Sequence, residues 1–245
     1  MNTALITGAS SGVAQALARE LVGNGWQLSL ACRDPGRLDS TMGHVQGVDV
    51  STEAGAQAAV AAATAAFGAP PAAVINCAGS TLIAPISRTS EAQYRAVLSA
   101  NLDTAFFVGK AYAGALVAAR QGGSLLFFSS VVAGIGVSNH AAIAAAKGGV
   151  EALTRSLAAD FSAIGLRVNC IAPGLTRTPM TERMLGNEAA ARQIAAQYPL
   201  GRHGEAEDAA ALAAFLVSAG AGWITGQVIG LDGGFSAVRP YVKAG

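Results

Sequence analysis

Thr3-Ala4-Leu5-Ile6-Thr7-Gly8-Ala9-Ser10-Ser11-Gly12-Val13-Ala14 is the stretch whose reading decides the fold. A short apolar run meets a turn of glycine and serine, and a helical pattern from Val13 to Val22 begins at once. Glycine lets the chain turn tightly and brings backbone close to a bound group. The start of a helix then offers free N–H groups and the positive end of its dipole to a phosphate. Strand, glycine turn and helix in that order make the opening of a nucleotide-binding βα unit. Thr7, Gly8, Ser10, Ser11, Gly12 and Val13 are therefore candidate cofactor contacts.

The same alternation runs outward through the chain. Ala4 to Thr7, Trp26 to Cys32, Val45 to Val50, Ala73 to Asn76, Ser124 to Ser129, Leu166 to Ile171 and Val228 to Leu231 read as strands. Most are continuous apolar runs, as parallel strands buried on both faces require. Helical patterns cover Val13 to Val22, Glu53 to Phe67, Ser90 to Ala119, Ala141 to Ser162 and Glu205 to Val217. The expectation is an α/β fold: one doubly wound Rossmann-type domain over residues 1–245, with a seven-stranded parallel sheet and helices on both faces. Residues 178–200, rich in Met, Gln, Arg and Glu, break the rhythm and are expected to form an inserted segment that covers the substrate.

Composition suits that interior and excludes several classes. Hydrophobic residues make up 52% of the 245-residue chain and charged residues 13%. Lys plus Arg number 16 against 15 Asp plus Glu, a net charge of +1, so neither nucleic acid nor an anionic membrane has an electrostatic claim. Apolar runs are broken by Gly, Pro, Ser or charge, and no stretch is expected to approach a spanning helix. Cys32, Cys77 and Cys170 lie far apart without metal or redox spacing, so no metal site is expected. They read as small buried residues in a reduced compartment, and with no leader pattern at Met1 the expected location is cytoplasmic.

The turn's spacing resembles the T-G-x-x-x-G-x-G of the short-chain dehydrogenase/reductase family, with Ala14 in place of the last glycine. The resemblance continues in order along nearly the whole chain. Asp49-Val50 matches the family's adenine-contacting aspartate segment, and Asn76-Cys77-Ala78-Gly79 is similar to its N-N-A-G. Asn101 falls at its mid-helix asparagine, and Pro173-Gly174 with Thr178 resembles the P-G-x-x-x-T that grips the nicotinamide end. Thr225-Gly226-Gln227 and Asp232-Gly233-Gly234 look like its closing strand and turn. The resemblance implies an oxidoreductase acting on a carbonyl/alcohol pair with NAD(P), and a homotetramer or homodimer formed through the two long central helices and the C-terminus.

The choice of dinucleotide turns on the end of the second strand. An acidic residue there would bind the ribose 2′-hydroxyl and select NAD. Cys32 stands in that place, Arg33 follows, and the first carboxylate, Asp34, comes one position late. A guanidinium pairs with a 2′-phosphate in two-point fashion, so NADP(H) is favoured and NAD(H) is the alternative.

In the family a serine positions the carbonyl, a tyrosine supplies the proton, and a lysine four residues later lowers the tyrosine's pKa and holds the ribose. Ser130 and Lys147 match the serine and the lysine. Four residues before Lys147 stands Ile143, and the nearest tyrosines, Tyr112 and Tyr198, belong to other segments. Isoleucine has no proton to give, and loss of a positioned acid costs on the order of 10²–10⁴ in rate. Three explanations compete. His140 donates the proton instead, with Tyr198 a weaker substitute; the fold binds dinucleotide without efficient turnover, as a sensor or oligomer partner; or Ser130 and Lys147 polarise a substrate that needs no phenolic acid. Ile135, Val137, Ile143, Met180, Met184 and Tyr198 suggest an apolar pocket suited to a small-molecule ketone or alcohol.

Overall fold

A computed structural model describes residues 2–239. Residues 240–245, part of the C-terminus that the resemblance places at a subunit contact, lie outside the described residues. The strands are β1 (Thr3–Thr7), β2 (Gln27–Cys32), β3 (His44–Gly47), β4 (Ala73–Asn76), β5 (Gly123–Phe128), β6 (Leu166–Pro173), β7 (Thr176–Arg177), β8 (Gly204–Glu205) and β9 (Val228–Leu231). Seven of them form one parallel sheet in the order β3-β2-β1-β4-β5-β6-β9. The expected doubly wound sheet is present.

Its strands read as unbroken apolar runs because alternate side chains enter two cores. On β1, Ala4 and Ile6 join the layer under α1 (Gly12–Gly23) and α7 (Ala206–Val217), while Leu5 joins the opposite layer. That second layer is closed by α2 (Glu53–Phe67), α4 (Thr104–Ala119) and α5 (Ala141–Phe161). Hydroxyl caps fix where helices start: Ser11 accepts from Ala14 N–H on α1, and Thr52 from Gly55 N–H on α2. The chain's winding reverses between β1 and β4, and such a switch point opens a crevice at the carboxyl ends of the strands.

Four differences from the sequence reading have physical causes. The third strand stops at Gly47 rather than Val50, because the Asp49 carboxylate accepts from Ser51 N–H and turns the chain toward α2. The long helix expected from Ser90 is broken: α3 (Glu91–Leu98) passes through a widened π-turn, Ser99–Asp103, into α4. Together these make a helical run of 29 residues, Glu91–Ala119, with mean hydropathy 1.2 in its most apolar stretch. By length and composition it reaches a membrane span, contrary to expectation, yet its Val108, Tyr112 and Leu116 are fully buried in the layer packed on the sheet. Residues 178–200 contain a helix of their own, α6 (Glu188–Ala195), which the sequence reading omitted. Their base is closed by a short parallel ladder in which Thr176 pairs with Gly204 and Arg177 with Glu205.

Candidate cofactor and reaction site

Gly8 sits at φ +64°, and a Cβ there would come within 2.5 Å of Ala78 Cα. Only glycine lets the first turn press so closely on the segment after β4. Hydrogen bonds hold the two together. Cys77 N–H donates to the Thr7 carbonyl at 2.9 Å. Thr7 Oγ1 donates to Asn76 Oδ1 at 2.6 Å, and Ala78 N–H donates to the same oxygen at 3.3 Å. At the other end of the turn, a Cβ on Gly12 would lie 3.1 Å from Pro179 Cδ and 3.2 Å from Thr178 Cβ. The inserted segment thus begins against the start of α1. Ser10 and Ser11 are half-buried in the turn, and the Ser11 hydroxyl takes the Ala14 N–H. The N–H groups of Gly12 and Val13, first in the helix, have no partner among the described residues. Open N–H groups at a helix start, with backbone cleared by two glycines, fit a dinucleotide pyrophosphate.

At the end of β2, Cys32 is buried and its thiol donates to the Asp34 carbonyl at 3.1 Å. The Asp34 carboxylate accepts from Gly36 N–H at 3.2 Å and caps the short turn Pro35–Arg37, so it is engaged locally. Arg33 is exposed and makes no ion pair among the described residues. Asp49 is exposed nearby. Hydrogen bonds from the Ser51 backbone and hydroxyl hold its carboxyl below the usual range, and the Arg33 charge adds to this. Val50 is turned into the core.

The π-turn carries Asn101, 1% exposed, whose Oδ1 accepts from Ser80 N–H at 3.3 Å and whose Nδ2 donates to the Val97 carbonyl at 2.9 Å. Lys147, on α5, donates from Nζ to the Phe128 carbonyl at 2.8 Å. The position of a Cβ on Gly79 gives a common reference: 2.9 Å from Asn101 Oδ1 and 3.6 Å from Lys147 Nζ. Burial pushes the Lys147 amine down to about 8, opposed by the neighbouring Cys170 and Cys77. Burial likewise pushes both thiols up to about 12, so they stay protonated near neutrality. Ser130 is half-buried and accepts from Val132 N–H at 3.4 Å, capping the turn Val131–Ala133.

The position that the resemblance assigns to a tyrosine is filled with hydrocarbon. Ile143 is 4% exposed and packs with Val97, Ala142 and Ala146, against Leu82, Leu98 and Val132. His140 caps α5 with a non-helical φ of −111°, one residue before the helix starts. It therefore stands outside the helix whose face carries Ile143 and Lys147. Its Nδ1–H donates to the Ser138 carbonyl at 2.7 Å, leaving Nε2 without a partner among the described residues. Tyr198 is 8% exposed, its hydroxyl accepts from Leu175 N–H at 2.7 Å, and its ring stacks on Phe235. Pro173 ends β6, Leu231 accepts from Gly174 N–H, and Thr178 N–H donates to Thr181 Oγ1. The sequence reading missed Ser129, 4% exposed, whose hydroxyl bonds Glu151 Oε1 at 2.7 Å and the Lys147 carbonyl at 3.3 Å. The doublet Ser129-Ser130 at the end of an apolar strand was the available signal.

Comparison with known proteins agrees with this architecture. The sequence model of a family described as enoyl-(acyl carrier protein) reductase matches residues 8–236. The chain is 34% identical over 247 residues to the (3R)-3-hydroxyacyl-CoA dehydrogenase of Mus musculus, covering 94% of this chain and 95% of that one. It is 34% identical over 233 residues to the inactive 2-(S)-hydroxypropyl-CoM dehydrogenase 2 of Xanthobacter autotrophicus, covering 91% of this chain and 100% of that one. A solved short-chain type dehydrogenase/reductase from Mycobacterium ulcerans superposes with a TM-score of 0.89 at 32% identity, covering 97% of this chain and 90% of that one.

Proposed function

This chain belongs to the short-chain dehydrogenase/reductase family, and from that premise we propose that it binds NADP(H) in preference to NAD(H) and acts on an apolar ketone/alcohol pair with impaired efficiency. The observation that carries the reading is the meeting of Asn101 and Lys147 at Gly79, beside the turn Gly8–Gly12 at the switch point. When bound, the cofactor supplies or accepts hydride. The chain's own residues do the rest. The α1 N-terminus and the turn take the pyrophosphate, and Arg33 takes the 2′-phosphate. Asp49 serves the adenine end, while Lys147 holds the nicotinamide ribose and Asn101 lines that end of the cleft. Pro173, Gly174 and Thr178 border the nicotinamide, Ser130 orients the carbonyl oxygen, and residues 178–200 cover the substrate. Proton delivery is the weak step, since Ile143 carries no acid. The substitutes are His140, whose Nε2 has no partner among the described residues and which delivers a proton only as the imidazolium, and more weakly the Tyr198 hydroxyl.

A second reading, a dinucleotide binder without efficient turnover, is favoured by the close packing of Ile143 in an apolar cluster. The Xanthobacter relative is itself named as an inactive dehydrogenase. Assembly as a homotetramer or homodimer through α4 and α5 belongs to the same proposal, supported by Phe106 of α4 standing 50% exposed.

The test is fluorescence titration with NADPH and NADH, followed by a ketone panel on wild type, His140→Ala, Ser130→Ala and Ile143→Tyr. Turnover by wild type that Ser130→Ala abolishes supports the enzyme reading and removes the binder reading. Unchanged turnover in His140→Ala rejects the histidine as acid. Activity present only in Ile143→Tyr identifies a disabled reductase. Failure to bind either dinucleotide overturns the whole reading.

A further inference from the structure

The π-turn at Ser99–Asp103 raises a local accounting problem whose solution is Thr104. A turn widened by one residue skips a carbonyl of the regular helical ladder, and a buried carbonyl without a donor is costly. The Thr104 hydroxyl, on a residue 3% exposed, lies 3.1 Å from the Ala100 carbonyl and 3.3 Å from that of Asn101. It has one proton to donate there and lone pairs left to accept with. Asn76 Nδ2 donates to it at 3.4 Å. The opposite end of the same amide, Asn76 Oδ1, takes the Thr7 hydroxyl at 2.6 Å and Ala78 N–H at 3.3 Å.

A closed polar path therefore runs through the interior, from Thr7 beside the glycine turn, through Asn76 at the end of β4, to Thr104 and the π-turn. Thr7 is 0% and Asn76 3% exposed, so water cannot replace a missing partner. An oxygen at position 104 serves both the amide arriving from β4 and the Ala100 and Asn101 carbonyls inside the π-turn.

We propose that Thr104 is a positioning residue: its hydroxyl holds the π-turn open in the geometry that sets Asn101 beside Gly79 and Lys147, and ties that geometry to the nucleotide turn through Asn76. The proposal rests on the reading of Asn101, Gly79 and Lys147 as part of a dinucleotide site. The side chain of Thr104 touches no ligand and acts through Asn101 and Asn76.

The experiment compares Thr104→Val, which keeps the shape and deletes the hydroxyl, with Thr104→Ser, which restores it. The readout is hydrogen exchange at the Ser80 amide, bonded to Asn101 Oδ1, against amides of β6 as an internal reference, together with NADPH affinity. The valine variant is expected to exchange Ser80 at least about tenfold faster while β6 is unchanged, and to weaken NADPH binding about three- to tenfold, because a buried group left unpaired carries its full desolvation penalty. Serine is expected to restore both. Equal acceleration at Ser80 and β6, as plain destabilisation would give, overturns the proposal. So does an unchanged Ser80, or serine behaving like valine. If wild type binds no dinucleotide, the functional reading fails and Ser80 exchange alone decides the role of Thr104. Should the valine variant not fold, Thr104→Ala carries the same measurement.

Discussion

At the glycine turn, polypeptide lies against polypeptide, Gly8 on Ala78 and Gly12 on Thr178, and the N–H groups of Gly12 and Val13 have no partner among the described residues. At the start of α5, by contrast, the position from which the family delivers a proton is occupied by Ile143, enclosed by Leu82, Val97, Leu98 and Val132. One end of the site is shaped by what had to be left out, a Cβ at Gly8 above all; the other is shaped by what was put in. On the proposed reading, the contrast teaches that binding and turnover are separable. A phosphate site needs only vacant donors on a rigid frame, whereas proton transfer needs one particular atom within reach.

Mutations probe that separation, beginning with the largest effect. Gly8→Ala forces a side chain into a left-handed backbone and against Ala78. Left-handed strain alone costs about 1–3 kcal/mol, and with the contact the expected loss is about 4 kcal/mol or more, read as lost folding or lost NADPH binding. Normal NADPH affinity in a folded Gly8→Ala protein would break the comparison at its nucleotide end. Ile143→Ala is expected to lower stability by about 2–4 kcal/mol in chemical denaturation with NADPH affinity unchanged, because it opens a cavity in an apolar cluster that includes none of the proposed cofactor contacts. A large change in Kd would mean that the two ends are not separate.

Lys147 belongs to both ends, and its ionisation sharpens the contrast. Its amine titrates near 8 in the folded chain against 10.5 ordinarily, so between those values the unfolded chain holds the extra proton and stability rises with pH. Cys77 and Cys170 act oppositely. From about 9 towards 12 the unfolded thiols ionise first, and stability falls with pH. For these three groups together, wild type should rise from pH 8 to a maximum near 9 and then decline. In Lys147→Met the rising limb disappears, and stability at pH 7 increases by about 2 kcal/mol once the lost bond to Phe128 is counted against the removed charge burial. Denaturation at stepped pH reads both effects, and a retained rising limb would reject the assignment to Lys147. The smallest effect is expected for Arg33→Leu, which should weaken NADPH about tenfold and leave NADH unchanged. Equal weakening of both would remove Arg33 from the 2′-phosphate.

Much of the sheet was legible because burial on both faces writes continuous apolar runs, and the bounds of α2 and β9 coincide with their sequence patterns. The π-turn was not, since one inserted residue shifts a helical repeat too little to notice among Ala, Leu and Phe. Val48-Asp49-Val50 read as strand from its β-branched residues, and only the local bond between Asp49 and Ser51 overrides that preference. In the site, residues that carry backbone constraints were readable as motifs. Residues joined through space were harder: Thr7 and Asn76 lie 69 positions apart, and nothing near Thr104 in sequence announces its contact with Asn76. The engagement of Asp34 with Gly36 also escaped the sequence, although it leaves the Arg33 guanidinium at the end of β2 without an ion pair among the described residues.

The ladder between β7 and β8 reaches beyond stability. Chain enters the inserted segment at Arg177 and leaves it at Gly204 side by side, with Arg177 also meeting His203 and Glu205 there. A loop whose two ends are already clamped behaves as a cassette. Doubling its length adds only about 0.6 kcal/mol of closure entropy. On the proposed reading, the part of this segment between Thr178 and Tyr198 can be exchanged to retune which molecules the pocket admits, while Thr178 against Gly12 and Tyr198 against Leu175 and Phe235 keep its two ends in register with the nucleotide turn.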